Sequence, residues 1–265
     1  MAAHQHVETD VHLIALPALA DNYIWLLHDD TGDALVVDPG EAGPVEQALI
    51  EHRLHLRAIL VTHHHHDHIG GVAALRERHR ATVYAPHDPR IDEADIRVDD
   101  GETIKLTAPH AHFQVLAVPG HTLSHVAYAG EGHLFCGDTL FSLGCGRLFE
   151  GSPGQMLASL DRLAQLPDST QVCCGHEYTA ANGRFAQTVD GGNPALSARL
   201  SDVARLREQG RPTVPVSLGS ERAANPFLRI DQPELTAWAT SQGIDASDRV
   251  TRFATLRAAK DAFRG

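Results

Sequence analysis

Histidine and aspartate side chains crowd into one short stretch of the chain, residues 62–68 with the sequence THHHHDH. This stretch follows an apolar run typical of a buried strand. Residues two apart in an extended segment point to the same side, so His63, His65 and Asp67 are predicted to converge, with His68 facing a neighbouring position. Imidazole and carboxylate groups are ligands that zinc and iron accept in proteins. The spacing therefore predicts a metal site.

Three later segments share one form, an apolar strand that ends in glycine followed by a residue able to bind a metal. They supply His121 in VPGHT, Asp138 in FCGDT and His176 in CCGHE. Because loops at strand ends often carry functional groups, these residues are candidates for the same site. His64 and His66, which alternate with the other candidates, are predicted to be bystanders.

The elements that must position these residues divide the chain into two parts. Up to Gly175, short strands rich in Val, Ile and Leu alternate with turns and a few helices. Beyond Gly175 no strand is predicted, and residues 210–226 form a proline-containing connector. The helices predicted in this second part are 194–209, 232–241 and 248–263. We predict an α+β protein with a catalytic domain at 1–175 and a helical domain at 176–265.

Composition narrows the classes of function. The net charge of −12 argues against broad binding to nucleic acid or to an anionic membrane. No segment approaches the roughly 18 apolar residues that a membrane span needs. The four cysteines have neither CxxC spacing nor the density of a secreted disulfide scaffold, which favours reduced thiols in the cytosol. We predict a cytoplasmic monomer that acts on a small molecule.

The order of these motifs resembles the metallo-β-lactamase superfamily, and within it the glyoxalase II (hydroxyacylglutathione hydrolase) family. The resemblance runs nearly from end to end of the chain, so it is far more specific than the metal motif alone. Besides the cluster at 62–68, the matching segments are DNY at 21–23, GDTLF at 137–141, GCGR at 144–147, GHEYT at 175–179 and NPFLR at 225–229. The resemblance implies a four-layer αββα sandwich with an α-helical C-terminal domain over the site.

The resemblance also implies how the candidate ligands divide between two divalent metal ions. Zinc is the expected metal, with iron or manganese as alternatives. One ion is expected to bind to His63, His65 and His121. The second is expected to bind to Asp67, His68 and His176, with Asp138 bridging both.

A binuclear site of this kind suits the hydrolysis of a thioester. Two ions about 3.5–4 Å apart can lower the pKa of a shared water towards about 7, and one of them can polarise the substrate carbonyl. Asp67, which would orient that water, and the bridging Asp138 are the predicted catalytic residues. A thiolate, with a conjugate pKa of roughly 8.5, hardly needs an acid to leave, whereas an amine does. The implied reaction is hydrolysis of S-D-lactoylglutathione to glutathione and D-lactate, the second step of methylglyoxal detoxification.

Glutathione carries two carboxylates, so its binding site is expected to contain cations and hydroxyl groups. The resemblance assigns substrate binding to Arg147, Phe149, Tyr178, Arg257 and Lys260. Arg257 and Lys260 lie three residues apart, on one face of a predicted helix. Some family members have tyrosine where Phe149 stands, so one hydroxyl contact to glutathione is expected to be absent.

Other functions are compatible with parts of the pattern. A persulfide dioxygenase of the same fold shares the histidine motif and a glutathione-linked substrate but uses one iron, so a complete second ligand set argues against it. Another hydrolase of the superfamily would act on a lactone or a phosphoester, and a non-catalytic protein would only bind metal. His125, close to the site in sequence, is a candidate for supporting the ligands.

Overall fold

Two six-stranded sheets form the centre of the molecule in the computed structural model, which describes residues 11–265. The strands are β1 (Val11–Ala18), β2 (Asn22–Asp29), β3 (Asp33–Val37), β4 (His55–Leu60), β5 (Thr82–Pro86), β6 (Ile96–Val98), β7 (Thr103–Thr107), β8 (His110–Ala117), β9 (Val126–Gly130), β10 (His133–Gly137), β11 (Leu140–Phe141), β12 (Gly144–Cys145), β13 (Gln171–Cys174) and β14 (Val216–Ser217). One sheet has the order β1-β2-β3-β4-β5-β6 and the other β14-β13-β10-β9-β8-β7, while β11 and β12 form a small ribbon.

Helices cover the outer faces of the sheets and make up most of the chain's last third. They are α1 (Gly43–His52), α2 (His66–Ile69), α3 (Val72–His79), α4 (Pro153–Leu163), α5 (Thr179–Asp190), α6 (Pro194–Glu208), α7 (Leu218–Ala224), α8 (Pro233–Ser241) and α9 (Arg249–Ala262). This α+β composition, with a helical C-terminal region, is the predicted class. No helix within residues 11–265 combines the length and the apolar character that crossing a bilayer requires.

Strands β2 and β3 of the first sheet are buried on both faces, as expected for one of the two inner layers of the sandwich. Alternate residues of a strand point to opposite faces, and β2 shows this directly. Ile24 and Leu26 pack with α1 and α3 on the outer side, whereas Trp25 and Leu27 belong to the core shared with the second sheet. The indole N–H of Trp25 donates to the carbonyl of Cys174 at 2.9 Å, which ties the two sheets together. The predicted αββα layering is confirmed.

The helical C-terminal region contains more structure than the sequence predicts. The three predicted helices are present as α6, α8 and α9, and Asn193 and Asp248 cap α6 and α9 by accepting hydrogen bonds from first-turn N–H groups. Helix α5, directly after the last predicted strand, was not predicted. Neither was α7, which lies inside the predicted connector 210–226.

The expectation that no strand follows Gly175 is wrong. Strand β14 returns to the second sheet and pairs antiparallel with β13, placing Val216 opposite Val172 and Ser217 opposite Gln171. A two-residue strand has no periodic signal in the sequence, because its pairing depends on contacts distant along the chain. The helical region therefore adds an edge strand to the second sheet. The division of the chain near residue 175 stays a prediction.

Candidate metal centre

The predicted metal ligands lie on loops that follow strands of both sheets. Strand β4 is followed by His63 and His65, β8 by His121, β10 by Asp138 and β13 by His176. Asp67 and His68 lie on the short helix α2. Because these loops meet, residues more than 100 positions apart in sequence come within contact distance, and they form two groups that share one carboxylate.

Three imidazoles make up the first group, His63, His65 and His121, whose ligand nitrogens lie within 4.8 Å of one another. The Nδ1 atom of His65 is 3.1 Å from Nε2 of His63 and 3.0 Å from Nε2 of His121. Burial lowers the pKa of His63 well below its ordinary value and lowers the pKa of His65 to about 4. The rings are therefore neutral at neutral pH, and three nitrogens converging in this way fit a shared cation.

The second group consists of Asp67, His68 and His176, whose ligand atoms also lie within 4.8 Å of one another. The Oδ2 atom of Asp67 is 3.5 Å from Nε2 of His68 and 3.3 Å from Nε2 of His176. The prediction that Asp67 converges with His63 and His65 along an extended segment is wrong. Helix α2 begins at His66, so Asp67 follows the helical rather than the extended period and turns towards His176.

Asp138 is buried between the two groups. Its Oδ2 lies 3.5 Å from Nε2 of His121 and 3.4 Å from Nε2 of His176, and its Oδ1 lies 3.4 Å from Nε2 of His68. Gly175 makes this approach possible, because a Cβ there would lie 2.6 Å from Oδ1 of Asp138. One carboxylate thus faces ligands of both groups, which is the placement that a bridging role requires.

Electrostatics and unpaired atoms both indicate that these residues fit cations. Nε2 of His68 and Oδ1 of Asp138 are buried and have no hydrogen-bond partner, which is rare for buried polar atoms. Burial by itself would lower the pKa of both His68 and His176. The Asp138 carboxylate nevertheless raises the pKa of His68 well above its ordinary value, and together with Asp67 it raises the pKa of His176 to about 10. The pair of carboxylates therefore favours positive charge at this position.

The second ring nitrogen of three candidate ligands is held by a neighbouring oxygen. Nδ1 of His68 donates to Asp38 at 3.0 Å, Nδ1 of His176 donates to Asp21 at 2.8 Å, and Nδ1 of His121 donates to the carbonyl of Arg147 at 2.9 Å. Each bond places the proton of the neutral ring on Nδ1, so Nε2 is the nitrogen that is turned towards the site and free to bind a cation, an arrangement typical of histidine ligands to metals.

Asp38 was not predicted as a site residue. It lies within ligand distance of His63 and His68, but both of its oxygens accept hydrogen bonds from Thr62, at 2.7 Å from the amide and 2.6 Å from the hydroxyl. These bonds occupy both oxygens of Asp38, which places it as a neighbour that orients the candidate ligand His68. The sequence contains a pattern that could have identified Asp38. This residue directly follows β3 and precedes Pro39 and a glycine, much as the predicted ligands follow their strands.

The residues predicted to be bystanders lie outside both groups. Nδ1 of His64 is 3.5 Å from a carboxylate oxygen of Asp88, and His64 belongs to no ligand group among residues 11–265. His66 begins helix α2 and belongs to no ligand group among the described residues. Only alternate histidines of the run therefore face the centre.

A cavity of about 470 Å³ opens beside Asp138 and His121. It is also lined by the five residues predicted to bind substrate, which are Arg147, Phe149, Tyr178, Arg257 and Lys260. Residues from the loop after β12 and from helix α9 thus reach the same space as the candidate metal ligands. The C-terminal helical region forms one wall of the candidate site.

Positive charge is concentrated in this wall. Arg257 is buried and donates to the carbonyl of Cys145 at 2.7 Å and to Asp261 at 3.0 Å. The ammonium of Lys260 lies 5.7 Å from the centroid of the Phe185 ring. Burial, followed by the charges of Arg257 and Arg184, lowers the pKa of Lys260. Arg184, on the helix α5 that was not predicted, is a cation that sequence reasoning missed.

Aromatic rings complete the cavity. Tyr178 stacks on the His176 ring with centroids 4.7 Å apart and planes within 4°. Phe149, which is 63% exposed, places its ring edge-on against His65 at 5.6 Å and His121 at 5.1 Å. Phe149 therefore presents an apolar surface next to the first ligand group, without the hydroxyl that tyrosine would bring.

Comparison with known proteins decides the family. The profile of the metallo-beta-lactamase superfamily matches residues 20–176, and the one described as hydroxyacylglutathione hydrolase C-terminus matches residues 177–263. A Xanthomonas campestris protein named hydroxyacylglutathione hydrolase is 53% identical over 256 residues, covering 96% of this chain and 100% of that protein. The chain belongs to the hydroxyacylglutathione hydrolase family. The resemblance seen in the sequence motifs is thereby confirmed.

Solved structures with a similar fold are consistent with this family membership. The crystal structure of the B3 metallo-beta-lactamase BLEG-1 has a TM-score of 0.63 and 26% identity, covering 82% of this chain and 99% of that one. A crystal structure of another protein in a di-iron-bound form has a TM-score of 0.57 and 27% identity, covering 82% of this chain and 100% of that one. This hydroxyacylglutathione hydrolase family member is a metal-dependent hydrolase with a metallo-β-lactamase fold.

Proposed function

We propose that this protein hydrolyses the thioester bond of 2-hydroxyacylglutathiones, with S-D-lactoylglutathione as its main substrate, and releases glutathione and D-lactate. The observation that carries the proposal is the shared cavity, in which His121 and Asp138 line the same space as Arg257 and Lys260. A peptide with two carboxylates can bind to the cations while its thioester lies against the ligand groups. Full-length relatives named hydroxyacylglutathione hydrolase support the same substrate class.

Each of the two ligand groups would hold one divalent ion, and zinc is the first candidate for both. The proposed ligands are His63, His65 and His121 for one ion and Asp67, His68 and His176 for the other, with Asp138 shared. When bound, such a pair supplies an activated water near neutral pH and polarises the thioester carbonyl. Iron and manganese suit the same ligand types, and iron is the metal of one solved structure of similar fold.

Asp67 and Asp138 are the proposed catalytic residues of the chain. The Asp67 carboxylate accepts a hydrogen bond from the Asn22 amide at 3.0 Å, yet its side chain is 39% exposed and so reaches the open side of the centre. It can therefore orient the attacking water by accepting a hydrogen bond from it. Asp138 is buried between the two ligand groups and would keep them in a fixed position relative to each other.

The leaving group needs no acid from the chain. Glu177 is the nearest spare carboxyl group in sequence, but it accepts hydrogen bonds from the Tyr23 hydroxyl at 2.8 Å and from the Thr213 hydroxyl at 2.7 Å. These hydrogen bonds give Glu177 a structural role, so it is not free to act as an acid. A thiolate can leave unprotonated, since its conjugate acid has a pKa of about 8.5, so the arrangement suits a thioester better than an amide.

The helical region, residues 176–265, is proposed to recognise the glutathione part of the substrate, while residues 1–175 carry the metal centre. Arg257, Lys260 and Arg147 would bind its carboxylates, and Tyr178 and Phe149 would pack against its backbone. This division follows the walls of the cavity, because α9 contributes the buried Arg257 and the half-buried Lys260, while the loops after β8 and β10 contribute candidate ligands.

The proposal is tested by hydrolysis of S-D-lactoylglutathione together with metal analysis of the same sample. We expect thioester loss to be stoichiometric with thiol release, to stop when a chelator removes the metal, and to return when zinc is added back. Full activity of the rigorously metal-free protein would contradict the mechanism. Release of a product without free thiol would contradict the reaction.

The rival function, oxidation of glutathione persulfide at a single iron, is tested in the same samples. The complete second group of Asp67, His68 and His176 disfavours it, because one iron would leave these ligands without a role. We expect no oxygen consumption when glutathione persulfide is supplied to the iron-loaded protein. Rapid oxygen consumption without thioester hydrolysis would favour the dioxygenase.

Replacing Lys260 by alanine is expected to raise KM for S-D-lactoylglutathione about 10–100-fold with little change in kcat. A hydrogen bond to a charged group contributes about 1.5–3 kcal/mol, and Lys260 lies on the recognition wall rather than among the ligands. Because the contact is made equally in the ground state and the transition state, its loss changes binding and not turnover. Steady-state kinetics of the purified variant measure both constants.

Lys105 provides the matched control, since it is the only other lysine and it is exposed on strand β7. The Lys105→Ala protein should keep the wild-type KM. A substrate whose two carboxylates are both converted to amides should bind equally to the wild type and to Lys260→Ala. A loss confined to kcat would contradict the assignment of Lys260.

We further propose that the enzyme acts as a monomer in the cytoplasm on this small-molecule substrate, without a nucleic-acid or membrane partner. All four cysteines are free and buried, which suits a reducing compartment. Light scattering of the purified protein should give the mass of one chain, 28.7 kDa. A dimer mass at micromolar concentration would contradict the monomer.

A further inference from the structure

His125 is a fully buried histidine beside the metal centre that belongs to neither ligand group. It lies directly before β9, and its ring stacks on the ring of His63 with centroids 4.6 Å apart and planes within 17°. Its Nε2 atom lies 3.1 Å from the backbone nitrogen of Asp138. One side chain therefore contacts a ligand of the first group and the residue shared by both groups.

Both ring nitrogens of His125 are used in hydrogen bonds within the protein. The amide of Asp138 can only donate, so Nε2 of His125 accepts and carries no proton. The proton is then on Nδ1, which lies 3.1 Å from the carbonyl of Val126 and 3.5 Å from the hydroxyl of Thr139. His125 consequently has no nitrogen left for a metal, and the direction of each of its bonds is determined.

The backbone next to Asp138 is shaped to fit this ring. Gly137 has a φ of +46°, in the left-handed region that favours glycine. A Cβ at position 137 would lie 2.9 Å from both Cε1 and Nε2 of His125 and 2.4 Å from the hydroxyl of Thr62. Any larger residue would thus push the strand away from the ring and lengthen the hydrogen bond to Asp138.

We propose that His125 is a positioning residue that holds the backbone of Asp138 and the ring of His63 in place together, and so couples the two metal positions. The inference rests on the proposed binuclear centre. The Asp138 carboxylate is within 3.5 Å of nitrogens in both ligand groups, so a shift of its backbone moves it relative to both at once. A shift of the His63 ring moves a ligand of the first group.

Loss of the hydrogen bond that the Asp138 amide donates to His125 should therefore weaken the binding of both metal ions. Residues that hold metal ligands in place typically change metal affinity about 10–100-fold when they are replaced. A histidine that only filled the core would behave differently, because an apolar residue of similar size would replace it without affecting the metals.

The test compares His125→Leu, which removes the acceptor, with His125→Gln, whose side-chain carbonyl can still accept from the Asp138 amide. Zn²⁺ is titrated into the metal-free proteins in competition with a chromophoric chelator, and Co²⁺ absorption spectra report the ligand geometry. We expect His125→Leu to raise both Zn²⁺ dissociation constants about 10–100-fold and to alter the Co²⁺ spectrum, and His125→Gln to stay close to the wild type.

His133→Leu is the matched control, because His133 is a half-buried histidine at the other end of β10 from Asp138, stacked on Phe135 with centroids 6.0 Å apart. It should bind both Zn²⁺ ions like the wild type. Urea unfolding of the metal-free proteins measures any general loss of stability. Should His125→Leu fail to fold, His125→Asn, whose shorter amide cannot reach the Asp138 amide, takes its place beside His125→Gln.

Unchanged Zn²⁺ affinities in the variant without an acceptor would overturn the inference, as would equal losses in the Gln and Leu variants. A loss confined to one Zn²⁺ ion would also overturn the coupling. These outcomes differ from a failure of the proposed centre itself, in which the wild-type protein would not bind two Zn²⁺ ions.

Discussion

Replacing Asp138 by asparagine is expected to remove both metals together and to lower kcat/KM for S-D-lactoylglutathione about 10²–10³-fold. Loss of one electrostatic group at the reacting atoms commonly costs about 10²–10³ in rate, and Asp138 faces ligands of both groups. Asparagine keeps the size of the side chain but not its charge. The buried nitrogens of His68, His121 and His176 would then converge without the carboxylate that favours a cation.

Metal content per chain and steady-state kinetics, measured on the same preparation, check this result. Asp99→Asn is the matched control, because it makes the same chemical change at a side chain that is 71% exposed. That variant should keep both metals and full activity. A protein with asparagine at 138 that retained one tightly bound metal would argue against a shared ligand and would favour two independent sites.

Replacing Glu221 by alanine is expected to lower the free energy of unfolding by about 3–4 kcal/mol, since it leaves several buried donors without an acceptor. Glu221 is fully buried on α7. Its carboxylate accepts from the Ser142 hydroxyl at 2.6 Å, from the Leu143 amide at 2.8 Å and from the Asn225 side chain at 3.0 Å. Melting should occur roughly 10 °C lower, as expected for such a loss in a chain of this size.

Glutamine at position 221 is the informative comparison. Burial raises the pKa of Glu221, and glutamine resembles the neutral form of the side chain. Its carbonyl can accept from Leu143 and Asn225, and its amide can donate to the Ser142 hydroxyl, so we expect a loss of only about 1 kcal/mol. Chemical denaturation of the three proteins measures the difference. Equal stability of the Ala and Gln variants would show that the hydrogen bonds to Glu221 contribute little.

The Glu221 network also bears on the site, because it holds the segment between β11 and β12. Asn225 donates to the carbonyls of Phe141 at 3.0 Å and Gly144 at 2.9 Å, and this segment leads directly to Cys145 in the cavity wall. The NPFLR motif at 225–229 was predicted only as part of the family resemblance. The structure gives its asparagine a structural role, joining the helical region to the catalytic loops.

Much of the metal centre could be predicted because each ligand lies in a short local pattern. His63 and His65 follow an apolar strand, and His121, Asp138 and His176 each follow a strand and a glycine. Such patterns need only a few neighbouring residues to be recognised. The same locality explains the error at Asp67, since whether the backbone continues as a strand or turns into helix α2 depends on the residues that pack around it.

The missed residues share a different property, which is that their partners are distant in sequence. Asp38 binds to His68 thirty residues away, Glu221 binds to Ser142 across 79 positions, and Arg184 approaches Lys260 from a helix that was not predicted. A single sequence contains no signal for such pairings, even where, as at Asp38, the position after a strand marks the residue as a candidate. Strand β14, two residues long, was missed for the same reason.

The sequence by itself determined the chemistry of this protein, because imidazoles and carboxylates at strand ends specify metal binding whatever the details of the packing. Motifs along the whole chain also implied, through their resemblance to a known family, the αββα class and the cations of the C-terminal helix. Only the tertiary structure decided which side chains hold the candidate ligands in place, and it alone gave the lining of the cavity that α9 shares with the two ligand groups. Those features arise from contacts between distant segments, which form when the chain packs and leave no local pattern.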